Sequence, residues 1–157
     1  MRGRRNILIA FAAFVIGMLG AILYLREPTQ PLTPQALDAA RKLWRDGGIR
    51  AYVARFRMNA SLYEVRCRDG IVEDLTVDGR ISNIAEVRSY SVDGLFDLLE
   101  LEIVNLNDTK GPFGPNAPAL MARVRFNADF GYPERYIRAG GMARGASIEM
   151  LEFKRLN

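Results

Sequence analysis

Arginines recur in pairs at alternate positions in three segments of this sequence. Alternate residues of a β-strand point to the same face, so each pair shares a face if its segment is a strand. If the three strands belong to one sheet, they form an arginine face suited to bidentate contact with carboxylate or phosphate. The alternative is an ordinary solvent-facing surface on which residues such as Glu64 pair with the arginines. The six residues are Arg55, Arg57, Arg66, Arg68, Arg123 and Arg125.

Side chains suited to acid–base catalysis or metal binding are scarce. The chain contains no histidine, which excludes Ser-His-Asp and Cys-His catalysis and the commonest zinc ligand sets. Asp93 and Asp97 are spaced by one helical turn, but with no histidine partner we interpret them as a solvated helix face. The single cysteine, Cys67, alternates with Tyr63 and Val65, which predicts a buried, inert thiol. We therefore predict no enzymatic activity, no cofactor and no metal.

The net charge of the chain also argues against nucleic acid as a partner. The formal charge is +4, but Arg2, Arg4 and Arg5 supply three of those charges. The rest of the chain holds 19 basic and 18 acidic residues, so it is almost neutral. A nucleic-acid-binding domain is expected to carry a clear surplus of basic residues.

A long apolar run precedes the charged part of the chain. Residues 7–25 contain no charge, and as a helix they would span about 28 Å, close to the thickness of a bilayer core. The sequence predicts a retained transmembrane helix; the alternative is an unusually long cleavable signal peptide. Arg2, Arg4 and Arg5 lie before this run, which predicts a cytoplasmic N-terminus and a periplasmic domain at the bacterial inner membrane.

Small residues follow one stripe of this predicted helix. Such spacing lets a second transmembrane helix approach closely, so we predict a contact with another integral membrane protein. The alternative is the general abundance of alanine and glycine in membrane helices. The residues are Ala13, Gly17, Gly20 and Ala21.

The remaining chain has the pattern of one α+β domain. Apolar residues at helical spacing predict a helix capped by Thr33 that runs from Pro34 to about Asp46. They predict a second helix capped by Ser91, whose polar side carries Asp97, Glu100 and Glu102. Alternating residues predict three strands after each helix. Two helices then cover one face of a curved antiparallel sheet, in the order helix, three strands, helix, three strands. The predicted organisation is a cytoplasmic tail 1–6, an anchor 7–25, a linker 26–33 and a domain 34–157.

Several segments carry a resemblance to a known family. Over residues 36–155 the chain resembles a bacterial family of unknown function, DUF 6174, whose members are small exported or membrane-attached domains. The resemblance implies no catalytic residues. Many members have a close cysteine pair after the first strand, whereas this chain reads FRMNASLY there, so a disulfide or thiol function is not expected. The segments that carry the resemblance are GIRAYVARF, VRCRDGIV, SVDGLFDLLE and VRFNADFGYPERY. Within the last of them, FGYP predicts a turn in which Gly131 has a positive φ and Phe130 and Tyr132 pack against the core.

These features lead to two functional hypotheses. The first is an accessory or structural subunit of a larger membrane complex, for example a respiratory or photosynthetic one, held by its anchor helix and its domain surface. The second is a stand-alone periplasmic module whose arginine face binds an anionic ligand, a lipid headgroup or a peptide.

Overall fold

A computed structural model describes the domain but not the predicted membrane segment. The described residues are 29–82, 87–115, 120–140 and 145–156. No helix within them is long and apolar enough to cross a membrane. The predicted tail 1–6 and the predicted transmembrane helix 7–25 lie outside the described residues.

The described residues form two α-helices, a short 3-10 turn at Val87–Tyr90 and eight strands. The helices are α1 (Pro34–Asp46) and α2 (Val92–Asn107). The strands are β1 (Gln30–Pro31), β2 (Ala51–Met58), β3 (Ser61–Arg68), β4 (Ile71–Val77), β5 (Arg80–Ile81), β6 (Met121–Phe126), β7 (Pro133–Ala139) and β8 (Ala146–Arg155).

All eight strands join one antiparallel sheet in the order β1-β6-β7-β8-β2-β3-β4-β5. The predicted α+β class and its order of two helices and six main strands are confirmed. The sheet also contains the two-residue strands β1 and β5. Strand β1 falls inside the predicted linker 26–33, because Gln30 and Pro31 pair with Val124 and Arg123.

Both helices begin at the predicted caps. The side chain of Thr33 accepts a hydrogen bond from the backbone N–H of Ala36 at 3.2 Å, and Pro34 occupies the first turn. The side chain of Ser91 accepts one from the N–H of Gly94 at 3.0 Å. These bonds satisfy backbone donors that have no partner inside the helix, which fixes where each helix starts.

The helices cover one face of the sheet, and the core lies between the two layers. The ring of Trp44 on α1 meets the rings of Tyr52 and Phe153 edge to face, with centroid distances of 5.6 and 5.9 Å. Phe96 on α2 stacks with Phe126 on β6. We call this side of the sheet the covered face and the other side the open face.

The turn before β7 packs against α1, and it contains the glycine for which the sequence predicts a positive φ. Gly131 has φ +79°, a left-handed conformation that glycine adopts without strain. A Cβ atom there would lie 2.2 Å from the carbonyl oxygen of Ala40 on α1. Tyr132 stacks on Phe153 with a centroid distance of 4.3 Å. The turn is therefore a packing device, as the sequence predicts.

Candidate binding face

Strand alternation places all six predicted arginines on the open face. On β2, the buried residues Tyr52, Ala54 and Phe56 face the helices. Arg55 and Arg57 occupy the alternate positions, so they point to the other face. The same alternation holds on β3, where Val65 and Cys67 are buried, and on β6, where Val124 is buried. The structure thus brings the three arginine pairs onto one surface, but β7 and β8 separate the pair on β6 from the pairs on β2 and β3.

The strand register sets carboxylates between the arginines. Across four neighbouring strands, one row of the open face reads Arg125, Arg135, Glu149 and Arg57. The next row places Arg55 between Glu152 on β8 and Glu64 on β3. Arg125 and Arg135 lie directly opposite each other and repel, whereas the other charged neighbours in these two rows have opposite signs and attract each other.

Four of the predicted arginines make ion pairs with carboxylates of the open face. The closest N–O distances are 3.2 Å for Arg57 and Glu149, 3.5 Å for Arg66 and Asp74, 3.1 Å for Arg68 and Glu73, and 2.8 Å for Arg125 and Glu134. Such exposed pairs typically contribute about 0.2–1 kcal/mol each. The open face is therefore a mixed-charge surface rather than a continuous cationic one.

Arg123, another of the six predicted arginines, binds the residue that precedes β1. The Nε of Arg123 donates to the side-chain oxygen of Thr29 at 2.9 Å, and its guanidinium also donates to the carbonyl oxygen of Thr29. Thr29 directly precedes β1, so Arg123 fixes the direction in which the chain joins the sheet.

The two parts of the open face differ in charge. On β6 and β7, beside β1, three arginines meet one carboxylate among the described residues, and we call this part the cationic half. On β8, β2, β3 and β4, four arginines and a lysine meet five carboxylates, and we call this part the mixed half. The cationic half contains Arg123, Arg125, Arg135 and Glu134, and the mixed half contains Arg55, Arg57, Arg66, Arg68, Lys154, Glu64, Glu73, Asp74, Glu149 and Glu152.

A concavity of about 350 Å³ lies in the mixed half. Its lining includes Val53, Glu64, Arg66 and Asp74, together with Ile81 on β5. Ile81 is 86% exposed, more than any other large apolar side chain among the described residues. The concavity thus combines paired charges with apolar surface.

A second charged cluster lies on the covered face, and the sequence analysis missed it. Glu102 on α2 accepts hydrogen bonds from the Tyr136 hydroxyl and from an Nη of Arg138, each at 2.7 Å. The ring of Phe113 lies 4.2 Å from the Arg138 guanidinium. Burial raises the pKa of the Tyr136 phenol above its usual value, and the bond to Glu102 raises it further.

The prediction that Glu102 belongs to the polar side of α2 is wrong. Its spacing from Leu95 and Leu99 places it on the apolar stripe of the helix, and Arg138 alternates with the buried Tyr136 on β7. These two spacings are the signals that could have found the cluster. Because both oxygens of Glu102 already accept hydrogen bonds, we interpret the cluster as a clamp between α2 and β7.

The other residues considered for chemistry have structural partners. Asp93 accepts a hydrogen bond from the Trp44 indole N–H at 3.2 Å, and Asp97 forms an ion pair with Arg41 at 3.2 Å. Cys67 is buried, as predicted, and this burial raises the pKa of its thiol. The predicted helix-contact residues Ala13, Gly17, Gly20 and Ala21 lie outside the described residues.

Comparisons with known proteins do not identify a family. No family model matches this chain, and neither a curated protein nor a solved structure shows significant similarity to it. The resemblance to DUF 6174 therefore stays a prediction. The features that bear on function are the open face and the sequence before β1.

Proposed function

We propose that the chain is a non-enzymatic, single-pass protein of the bacterial inner membrane. Its anchor would be residues 7–25, and its periplasmic domain would serve as an accessory or structural subunit of a larger membrane complex, such as a respiratory or photosynthetic one. The stripe of Ala13, Gly17, Gly20 and Ala21 would contact a transmembrane helix of the partner. The domain would contact the same complex through its open face.

The observation that carries this proposal is the composition of the open face. Six main strands about 4.8 Å apart and about seven residues long give this face roughly 29 by 23 Å, or about 670 Å². A standard interface takes about 800 Å² from each partner, so the face and its rim are large enough for one. Paired charges alternate there with apolar residues such as Val53, Ile81 and Ile137, and neither α1 nor α2 covers them.

The ion pairs favour a protein partner over a small anion. A phosphate or carboxylate ligand would have to compete with Glu149 for Arg57 and with Glu134 for Arg125. A protein surface with complementary charges can instead pair with both signs at once, which gives specificity and register. We therefore place the binding module for an anionic ligand, lipid headgroup or peptide second.

Charge reversal on the open face tests the protein-partner proposal. The tagged full-length chain is extracted from native membranes in mild detergent, and co-purifying proteins are quantified by mass spectrometry. We expect a defined membrane protein to be retained by the parent chain and lost from Arg57→Glu/Arg66→Glu, since like charges would then face each other. The control is Arg45→Glu, which changes an exposed arginine on α1 and should leave retention unchanged.

Two results would contradict the proposal. One is migration of the extracted chain as a lone monomer with no retained partner. The other is equal loss of the partner from the open-face variant and from the α1 control. The second hypothesis would gain support if inorganic phosphate or anionic lipid raised the melting temperature of the domain and Arg55→Ala/Arg57→Ala/Arg123→Ala/Arg125→Ala abolished that shift.

A further inference from the structure

An apolar groove lies at the corner of the sheet where the chain joins it. The groove has a volume of about 260 Å³ and is formed by the edge of the sheet and the end of α2. Met121 at its rim is 66% exposed. We call this surface the edge groove; its lining includes Leu32, Leu106, Leu120, Met121, Ala122 and Arg123.

The chain outside the structure ends beside this groove. Arg123 holds both the side chain and the carbonyl group of Thr29, so the residue before β1 is fixed at the groove. Thr29 is four residues after Leu25, the last residue of the apolar run. Four extended residues reach at most about 14 Å. If residues 7–25 span a bilayer, the edge groove therefore lies close to the surface of that bilayer.

The opposite end of the sheet lies much farther from this point. Strand β5 is six strand positions from β6, which is about 29 Å at the usual spacing of about 4.8 Å. Ile81 on β5 is even more exposed than Met121. Of these two exposed apolar side chains, only Met121 is near the predicted anchor.

We infer that the edge groove docks on the bilayer surface, with Met121, Leu120 and Leu106 in the interfacial region. This inference rests on the proposed membrane anchor, which brings the groove to the lipid. The neighbouring cationic half of the open face would lie close to the headgroups, and its surplus of arginine complements anionic lipid. The sheet would then stand on its β1–β6 edge, which leaves the mixed half accessible to a partner.

Site-specific labelling of the full-length chain tests this orientation. The variants Met121→Cys and Ile81→Cys carry an environment-sensitive fluorophore, and the buried Cys67 stays in place. Both are reconstituted into vesicles of phosphatidylcholine with phosphatidylglycerol, with or without lipids that carry a nitroxide quencher in the interfacial region. We expect quenching at position 121 to be several-fold stronger than at position 81, since only the edge groove lies within reach of the quencher.

Two separate readings distinguish the inference from the proposal beneath it. Resistance of the reconstituted chain to alkaline extraction reports on the anchor, whereas the quenching ratio reports on docking. Resistance to extraction with equal or reversed quenching at the two positions would overturn the inference and leave the proposed anchor intact. Complete extraction would overturn both, because the groove would then have no membrane beside it.

A charge substitution gives an independent check. Met121→Glu places a carboxylate in the edge groove without disturbing the core, and Ile81→Glu is its matched control. On anionic vesicles, protease cleavage near the junction at residues 26–29 should become several-fold faster in Met121→Glu than in Ile81→Glu, because the docked edge would lift from the surface. Equal cleavage rates in the two variants would contradict the docking.

Discussion

The covered and open faces of this sheet are built from the same strands and have opposite chemistry. Phe56 and Arg57 are neighbours on β2, yet Phe56 is completely buried and Arg57 forms an exposed pair with Glu149. The covered face is held by aromatic and aliphatic burial, whereas the open face is held by weak pairs of charges. Stability should therefore depend on the covered face, and the open face is free to carry a binding function.

The two faces also use ion pairs differently. The Arg138–Glu102 pair on the covered face is nearly buried, with side chains 10% and 14% exposed, and it bridges a helix and a strand. The pairs of the open face connect neighbouring strands and stay in contact with water. The same chemical pair is thus a structural clamp on one side and a replaceable surface feature on the other.

The largest difference in stability between the two faces should appear when Phe56 and Arg57 on β2 are each replaced. We expect Phe56→Ala to lower the free energy of unfolding by about 3–5 kcal/mol, because it removes a buried ring and leaves a cavity. Arg57→Ala should cost less than about 1 kcal/mol, because its ion pair is exposed. Urea denaturation of the two variants measures both values, and similar losses would contradict the division between the faces.

The buried ion pair provides the next largest contrast. Glu102→Ala should cost about 3 kcal/mol, because the Tyr136 hydroxyl and the Arg138 guanidinium both lose a buried hydrogen-bond acceptor. Glu149→Ala on the open face should cost less than about 1 kcal/mol. The comparison uses chemical denaturation at neutral pH. A Glu102→Ala variant as stable as Glu149→Ala would show that the clamp does not hold α2 on the sheet.

Two glycines separate the effect of packing from that of backbone conformation. Gly131 and Gly79 have φ of +79° and +77°, but only Gly131 lies against another element, since a Cβ at Gly79 would have nothing within 4 Å. Gly79→Ala should therefore cost about 1 kcal/mol for the left-handed conformation alone. Gly131→Ala should cost about 2–3 kcal/mol, because the methyl group also meets the backbone of α1.

Thermal or urea unfolding of both glycine variants checks this difference. The near-ultraviolet circular dichroism of Gly131→Ala should also change, since Trp44 and Tyr132 pack next to that turn. Equal losses of stability in the two variants would mean that α1 can shift to make room.

The covered face should also lose stability at alkaline pH. Burial raises the pKa of both Tyr52 and Tyr136 above the unfolded value of about 10. Their contribution is therefore fully present below pH 10. It is lost as pH rises further, because the unfolded chain releases protons that the folded chain keeps. Each tyrosine should lower stability by about 1.4 kcal/mol per pH unit above that point.

Denaturation between pH 9 and 11 measures this slope. Tyr136→Phe should reduce this slope by about 1.4 kcal/mol per pH unit, which is the contribution of one proton. The variant should also be less stable at neutral pH, because it lacks the hydrogen bond to Glu102. An unchanged slope in Tyr136→Phe would show that this phenol ionises as readily in the folded chain as in the unfolded one.

Most of the domain could be predicted from local patterns. The caps at Thr33 and Ser91, the alternation on β2 and β3 and the turn at Gly131 each depend on a few neighbouring residues, and the structure confirms them. The assignment of the six arginines to the face opposite the core is also confirmed, because strand alternation determines it once the buried side is known. The short strand β1 was not predicted, since two residues carry too little pattern.

The partners of the arginines could not be predicted in the same way. Which carboxylate faces which arginine depends on the order of the strands, and β7 and β8 enter the sheet between β6 and β2. That order makes the open face a set of pairs with a cationic half and a mixed half. The clamp of Glu102 with Tyr136 and Arg138 likewise needs the position of α2 over β7.

Periods of two and about 3.6 residues along the chain define the two helices, the six main strands and most of their buried and exposed sides, and composition alone marks the apolar run at residues 7–25. Which charges meet, where the edge groove lies and how far it is from β5 follow from the tertiary structure. Those features depend on contacts between residues distant in the chain, and no local spacing encodes them.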